Sequence, residues 1–348
     1  MNVNYVLGLF AAVACAATDA KEVQLETEIR EQQQKCLLEK VKTAEDRKTA
    51  GQIRRECFSQ IQVAQELEEI EIDGKRIKLG MISKRILKEQ LAQQNDFAIT
   101  PHDINYMLPV YATSGINQQA YKGVEEFSEG FKDIEAKFQL SVKAPLSYGD
   151  LFTSGDGLYF AFTLEAWWQV YATDLSSPFR ETNYKPEVFY IMPTSWKPFD
   201  GNTGLVFGME HQSNGRSSAL SRSWNRLYAN LLFEKGPWAV SFQPWFRLPE
   251  DTKEFVGDTE GDDNPDIQDY MGHFEFGTAY HKNDIEYRLK LRQNFSTGKG
   301  AAELSLTTPL WGKLRGYVSV FNGYGDSMID YNHHQTRFGL GIALNNMF

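Results

Sequence analysis

The sequence predicts an all-β fold: a twelve-stranded antiparallel transmembrane β-barrel, preceded by a mainly α-helical extension. Three observations predict it. From about residue 102 the hydrophobic pattern takes a period of two, as in strands with one apolar face. Aromatic residues reach 13% of the chain in a composition whose mean hydropathy is only −0.45. Beyond the N-terminus no run approaches the roughly 20 apolar residues that a membrane-spanning helix needs. Apolar, aromatic-rich alternation within a polar average is the signature of a barrel with lipid outside and polar groups inside.

In chain order, Met1 to about Ala20 reads as a signal peptide (1–20), with small residues toward its end, although its first residues include no Lys or Arg. Cys15 is preceded by Ala12-Val13-Ala14, a poor match to a lipoprotein site. Residues 21–97 form a different kind of segment, rich in Glu, Lys, Gln and Arg and poor in aromatics. Helices are expected over Glu22–Arg47 and Thr49–Glu69, a turn between short strands at Asp73-Gly74, and a further helix over Ser83–Gln94. Cys36 and Cys57 fall where they could staple the first two helices. Two cysteines in an oxidising periplasm tend to pair, though spacing alone does not show the bond. The extension reads as a small periplasmic helical module, with partner binding or regulation as the sharper alternative.

Residues 98–348 carry the barrel. Strands are expected near 103–113, 134–144, 156–172, 184–194, 203–213, 222–234, 237–247, 267–281, 284–295, 301–309, 313–323 and 335–348. Ala136, Phe138, Leu140 and Val142 alternate with Glu135, Lys137, Gln139 and Ser141; Ile285, Tyr287, Leu289 and Leu291 alternate with Glu286, Arg288, Lys290 and Arg292. Phe338, Leu340, Ile342, Leu344 and Phe348 share one parity, and the chain ends on Phe, as outer-membrane barrels commonly do. An even strand count puts both barrel ends on the periplasmic side. The connections after odd strands, at 173–183, 214–221, 248–266 and 324–334, are then extracellular and mostly long. Those near 235, 282 and 311 are short, as periplasmic turns should be.

One hairpin concentrates chemistry. Leu205, Phe207, Met209, His211 and Ser213 share a parity, and Asn225, Leu227, Ala229, Leu231 and Phe233 form a matching row on the next strand. Alternate residues of a strand share a face, so a His, a Ser and an Asn extend two apolar rows at the hairpin tip. Polar groups on a lipid-facing row need a reason, because unpartnered they cost free energy. A serine hydroxyl needs a base to become nucleophilic, and imidazole fills that role near neutral pH. Nucleophile, base and orienting amide are the parts of a serine-hydrolase triad, recognised by roles rather than residue order.

Several blocks carry a resemblance: Trp167-Trp168-Gln169, Ser176-Ser177-Pro178-Phe179-Arg180-Glu181-Thr182-Asn183-Tyr184, His211 through Ser217, Ser221 through Tyr228, Asp263-Asn264-Pro265-Asp266, and Tyr324 through Asn332. Together they make residues 98–348 resemble the bacterial outer-membrane phospholipase A family. The resemblance implies a calcium-dependent enzyme, active as a homodimer, that hydrolyses acyl ester bonds of phospholipids in the outer leaflet. It implies Ser213 as nucleophile, His211 as base, Asn225 as the residue orienting His211, and the Gly215 N–H as an oxyanion donor. For calcium it implies the Arg216 carbonyl, the Ser221 hydroxyl and the Ser176 carbonyl of the second subunit. It also implies a dimer seam that buries lipid-facing side chains and lines acyl grooves. Two positions depart from the family pattern: Leu164 stands where a polar Gln is common, and Ser218 replaces an acidic residue, which argues against a second calcium site.

The remaining features have plainer readings. Arg226 should face inward and pair within the barrel, whereas Arg216 and Arg222 could meet lipopolysaccharide phosphates. Asp262, Asp263 and Asp266 read as a solvated turn and His333-His334 as a loop pair. Of Trp167 and Trp168, one should be interior and one an interface anchor. The net charge of −10 argues against nucleic-acid binding. A passive channel or a structural barrel are the other functions this composition allows, and neither explains the His211–Ser213–Asn225 row.

Overall fold

The computed structural model describes residues 69–72, 75–78, 80–92, 99–122, 130–147, 151–153, 155–255, 258 and 261–347. The signal peptide, the Cys36 and Cys57 pair and the terminal Phe348 lie outside the described residues. So do the helices expected between Glu22 and Glu69, except that Glu69 itself opens a strand. Two compact units are present. In the smaller, β1 (Glu69–Ile72) pairs antiparallel with β2 (Lys75–Lys78), flanking the expected turn at 73–74.

The larger unit contains a helix, Met81–Ala92, close to the expected Ser83–Gln94, and the barrel. A two-residue strand, β3 (Thr100–Pro101), pairs with the far end of β5. The barrel strands are β4 (Tyr106–Thr113), β5 (Ile134–Pro145), β6 (Gly157–Trp168), β7 (Phe179–Thr194), β8 (Asn202–Ser213) and β9 (Ser223–Lys235), followed by β10 (Trp238–Arg247), β11 (Phe274–Lys282), β12 (Ile285–Gln293), β13 (Gly300–Trp311), β14 (Leu314–Tyr324) and β15 (His334–Ala343). Each pairs antiparallel with its successor, and β15 pairs with β4, so the sheet closes with no free edge. Closure bonds the strand backbones to one another, the condition for a sheet to lie in hydrocarbon.

All twelve expected strands are found, with corrections of extent: β6 stops at Trp168 and β15 at Ala343, short of the expected 172 and 348. β7 begins at Phe179, inside the expected 173–183 loop. The stretch expected to open the next strand at 267 is instead a short helix, Ile267–Met271, and β11 starts only at Phe274. Ile267 and Met271 are both buried, and that spacing of four fits a helix face as well as a strand face. Gly272 then turns the chain at φ 73°, where a Cβ would stand 2.8 Å from the Gln293 carbonyl oxygen. The tight turns fall where expected, at Gly236, at Asn283-Asp284 and at Gly312, all in the left-handed region.

The parity reading holds. On β8, Phe207 and Met209 are 47% and 55% exposed, whereas Val206 and Glu210 are 7% and 3%. On β15, Phe338 and Leu340 face out while Arg337 is fully buried. Leu164 lies in the outward row, opposite Leu140 and Tyr184 on its neighbours.

The interior is packed with charge. Arg180 meets Glu135 through two N–H···O bonds of 2.9 Å and gives a third, also 2.9 Å, to Asp330. Arg337 adds a bond of 2.8 Å to Glu135. Asp326 accepts from Tyr111 (2.5 Å), Trp167 Nε1 (2.9 Å) and Lys137 (3.3 Å). The segment after β14 therefore folds into the barrel mouth, burying Met328 and Ile329. Burial alone would raise the Asp326 carboxyl, but Lys137 and Arg337 outweigh it and hold it down at about 2. At the other mouth the helix Met81–Ala92 is tied across: the Ile82 and Ser83 amides donate to Glu234, Arg85 to the Pro101 and His102 carbonyls, and Lys143 pairs with Glu89. Chain thus lies across both mouths, with ion pairs between them. A polar cavity of about 160 Å³ remains, lined by Asp103, Lys185, Glu275 and Arg288 among others.

Trp167 is the interior residue of its pair, and Trp168 stacks on Phe179 nearer the surface. Arg226 faces inward, paired with Glu210 and 4.0 Å from the centre of the Trp224 ring.

Removing one partner of a buried ion cluster strands the others. Glu135→Leu should therefore cost about 3–5 kcal/mol, read as a lower urea midpoint in detergent micelles. Docking of the 325–333 segment should also depend on acid. The Asp326 carboxyl is held low in the folded state, so its contribution is complete above the ordinary carboxylate range and fades as pH falls toward about 2. Tryptophan fluorescence, through Trp167, should report the loosening in an acid titration.

Candidate active site on the outer face of the barrel

The β8–β9 register sets the site. His211 lies directly opposite Asn225, and Ser213 opposite Ser223. Directly opposed residues share a face and place their Cβ atoms about 4.5–5.5 Å apart, so the His–Asn pair is built by strand pairing alone. His211 Nδ1 lies 2.9 Å from Asn225 Oδ1. That oxygen can only accept, so Nδ1 carries the proton and Nε2 keeps a free lone pair. Ser213 stands two residues on, on the same face. Its Oγ accepts the Gly215 N–H at 3.1 Å.

Gly215 has a physical reason to be glycine. Its φ is 64°, and a Cβ there would lie 3.0 Å from the Tyr184 ring. Tyr184 sits on β7 opposite Ser213. The turn after Ser213 thus packs close against its neighbour and aims an amide back at the serine oxygen. Buried Asn214 organises the loop: its Nδ2 donates to the Leu220 carbonyl (2.8 Å), and its Oδ1 accepts the Arg222 amide (3.0 Å). The Arg216 guanidinium donates to the Arg180 carbonyl at 2.6 Å, tying the loop to β7, and Arg222 donates to the Ser221 carbonyl at 2.6 Å, within the loop itself.

The three residues expected at a metal divide between two places. Arg216 and Ser221 belong to the loop joining β8 to β9, whereas Ser176 belongs to the loop between β6 and β7. Ser176 is exposed and has φ 58°, and Ser177 follows at φ 49°. Left-handed non-glycine residues cost about 1–3 kcal/mol each and persist where the surroundings hold them. Here Trp168 Nε1 donates to the Ser177 carbonyl at 2.9 Å and the Ser177 hydroxyl to the Val170 carbonyl at 3.1 Å.

One residue was underrated in the sequence. The Asp262–Asp266 turn is not a solvated surface feature. Asp262 pairs with Arg247 (2.5 Å), the Asn264 Oδ1 accepts the Ser223 amide (3.0 Å), and Asp266 accepts the Tyr331 hydroxyl (2.6 Å). So docked, the turn delivers Asp263 to the site, where its Oδ2 accepts the Ser221 hydroxyl at 2.6 Å. Lys253 Nζ lies 2.5 Å from its other oxygen. Only the run of acidic residues hinted at this; the docking is set by Arg247 on a different element. The donors are a serine hydroxyl, a backbone carbonyl on the same loop and a carboxylate. An all-oxygen set of this kind suits a hard cation such as calcium. Among the described residues, no cluster of three His, Cys, Asp or Glu side chains could hold a metal instead.

Residues 82–344 match the family model for phospholipase A1. The chain belongs to that family. Over 287 residues it is 40% identical to a phospholipase A1 of Escherichia coli strain K12, spanning 82% of this chain and 93% of the relative. The barrel superposes on outer membrane phospholipase A of Escherichia coli, solved as an active-site asparagine-to-alanine mutant, with a TM-score of 0.69 and 38% identity over 76% of this chain and 98% of that one. The outer membrane phospholipase dimer of Salmonella typhi, solved with bound calcium, gives 0.68 and 38% over the same shares. This family membership agrees with the resemblance read from the sequence blocks, and it makes the outer membrane the setting of the barrel. Gly215→Ala should lower fatty-acid release at least about tenfold, because the amide aimed at Ser213 cannot keep φ 64° beside Tyr184 without strain; assay of the purified, folded variant checks this.

Proposed function

We propose that the chain is a calcium-dependent outer-membrane phospholipase that cleaves acyl esters of phospholipids at either acyl position and is active as a homodimer. The observation carrying this reading is the His211–Asn225 hydrogen bond of 2.9 Å beside Ser213, on the outward face of the barrel. Substrate reaches that face through the membrane. Exposed Phe207, Met209, Leu227 and Phe246 offer acyl chains an apolar surface next to the serine.

Ser213 Oγ attacks the ester carbonyl while His211 Nε2 takes its proton. The Gly215 N–H donates to the oxyanion that forms. His211 then returns the proton to the departing alcohol oxygen, leaving an acyl-Ser213 ester. Water, giving a proton to the same imidazole, attacks that ester, and the imidazole returns the proton to Ser213 Oγ as the fatty acid leaves. Asn225 holds the imidazole in the tautomer that can act as base, with less charge support for imidazolium than a carboxylate would give. Calcium, held by the Arg216 carbonyl, the Ser221 hydroxyl and the Ser176 carbonyl of the second copy, would supply positive charge beside the oxyanion. Asp263 adds a carboxylate to that set through Ser221. A metal site completed by a second chain makes dimerisation the switch, and the apolar outward row that includes Leu164 would form part of the seam. Residues 1–20 would be a signal peptide, and 21–97 an extension in the periplasm.

The test is fatty-acid release from phospholipid–detergent micelles, with calcium or chelator. Ser213→Ala should lower release by about a thousandfold or more, and chelator should abolish it in the wild type. Release that survives the substitution would mean another nucleophile; none from a folded, calcium-loaded dimer would sink the enzymatic reading. Asp263→Asn should weaken calcium binding by about tenfold or more, measured by titration calorimetry on the dimer.

A further inference from the structure

Asn225 has a second neighbour that the triad does not require. Its Nδ2 donates to Glu250 Oε1 at 3.3 Å. Glu250 lies two residues beyond Leu248, whose amide donates to the Asn225 backbone carbonyl at 2.8 Å. The segment after β10 is therefore fastened to Asn225 twice, once through the backbone and once through the side chain. It is pinned again further on, where the Asp262 amide donates to the Asp251 carbonyl at 2.7 Å. There Gly261, at φ 90°, leaves no room for a Cβ, which would stand 2.8 Å from that same oxygen. Glu250 is half-buried and held by this framework.

An asparagine side chain is a poor orienting group by itself. Its two ends are nearly the same size, and a half-turn about the last bond exchanges acceptor for donor. With Oδ1 toward His211, the imidazole proton stays on Nδ1 and Nε2 is free to take the serine proton. With Nδ2 there, the amide would donate to Nδ1, the proton would move to Nε2, and His211 could not act as base. A carboxylate removes the ambiguity, because it only accepts and can pair only with the Nδ2 end.

From this geometry we propose that Glu250 is a positioning residue of the active site: it fixes the Asn225 amide so that its oxygen faces His211, extending the row to Ser213–His211–Asn225–Glu250. The inference rests on the triad reading above. It explains how an amide serves where a symmetric carboxylate would need no such help.

The experiment compares steady-state kinetics of the full-length protein carrying Glu250→Ala, Glu250→Gln, Asn225→Ala, Asn225→Asp, and Asn225→Asp combined with Glu250→Ala. Glu250→Ala should lower kcat about tenfold with KM unchanged, the usual scale for a residue acting through another. Glu250→Gln should fall similarly, because a glutamine can face either amide end. Asn225→Asp should also be impaired, since it sets two carboxylates against each other. The combined Asn225→Asp, Glu250→Ala variant should then exceed both of its parents, because an Asp presents an oxygen to His211 whichever way it turns. A variant that merely misfolded would not be rescued by a second substitution. Glu250→Ala with wild-type kcat, or a combined variant no better than its parents, would overturn the proposal. Full activity in Asn225→Ala would instead remove the triad role of Asn225 and with it the basis of both readings.

Discussion

No backbone N–H or C=O can face hydrocarbon unpaired, so a sheet that enters the membrane must close on itself. β15 pairing back onto β4 meets that demand, and most of the architecture follows from it. Closure fixes an inside and an outside for every strand. Alternation then sends Phe207, Met209, Leu227 and Phe338 outward and Glu210, Arg337 and Glu135 inward. The interior cannot be an oily core, because half of each strand is polar. It is filled instead by mutual neutralisation: Arg180 and Arg337 against Glu135 and Asp330, and Lys137 against Asp326. The desolvation cost of such charges is offset in part by bonds to the shared carboxylates; Asp330 Oδ1 and the Nε and Nη2 of Arg337 make no hydrogen bond among the described residues.

The same closure places the candidate chemistry where a soluble enzyme would never have it. His211, Ser213 and Asn225 lie on the outward side of the β8–β9 ladder, beside exposed Phe207 and Met209. The β8–β9 ladder holds imidazole and amide with the rigidity of strand pairing, and loops supply what strands cannot. The turn at Gly215 aims an amide at the serine, and the docked Asp262–Asp266 turn brings a carboxylate to Ser221. Division of labour between a stiff ladder and fastened loops gives short distances without a concave cleft.

The segment after β10 links the two halves of this arrangement. Glu250 reaches the far side of Asn225, while Lys253 reaches the far side of Asp263. A single loop thus touches the Asn225 amide beside His211 and the Asp263 carboxylate beside the expected metal ligands. Its anchoring points are backbone bonds to Asn225 and between Asp251 and Asp262, so its placement is part of the barrel rim.

The sequence alone determined the twelve strands, their facing and the hairpin at which His211 meets Asn225. These depend on a period of two and on antiparallel register, and both are local properties of a chain whose outer face must be apolar. It also marked Arg226 as inward and Trp167 and Trp168 as a split pair, for the same reason. Period could not separate the buried Ile267–Met271 turn of helix from a strand, because residues four apart can share a face in either. Nor could it show that Asp263 is carried to Ser221, or that Glu250 stands behind Asn225. Those contacts join residues 42 and 25 positions apart through loops with no period of their own. Where a side chain ends up across such a distance is decided by what fastens the loop, here Arg247, Asn264 and the backbone of Asn225, and only the folded barrel brings these together.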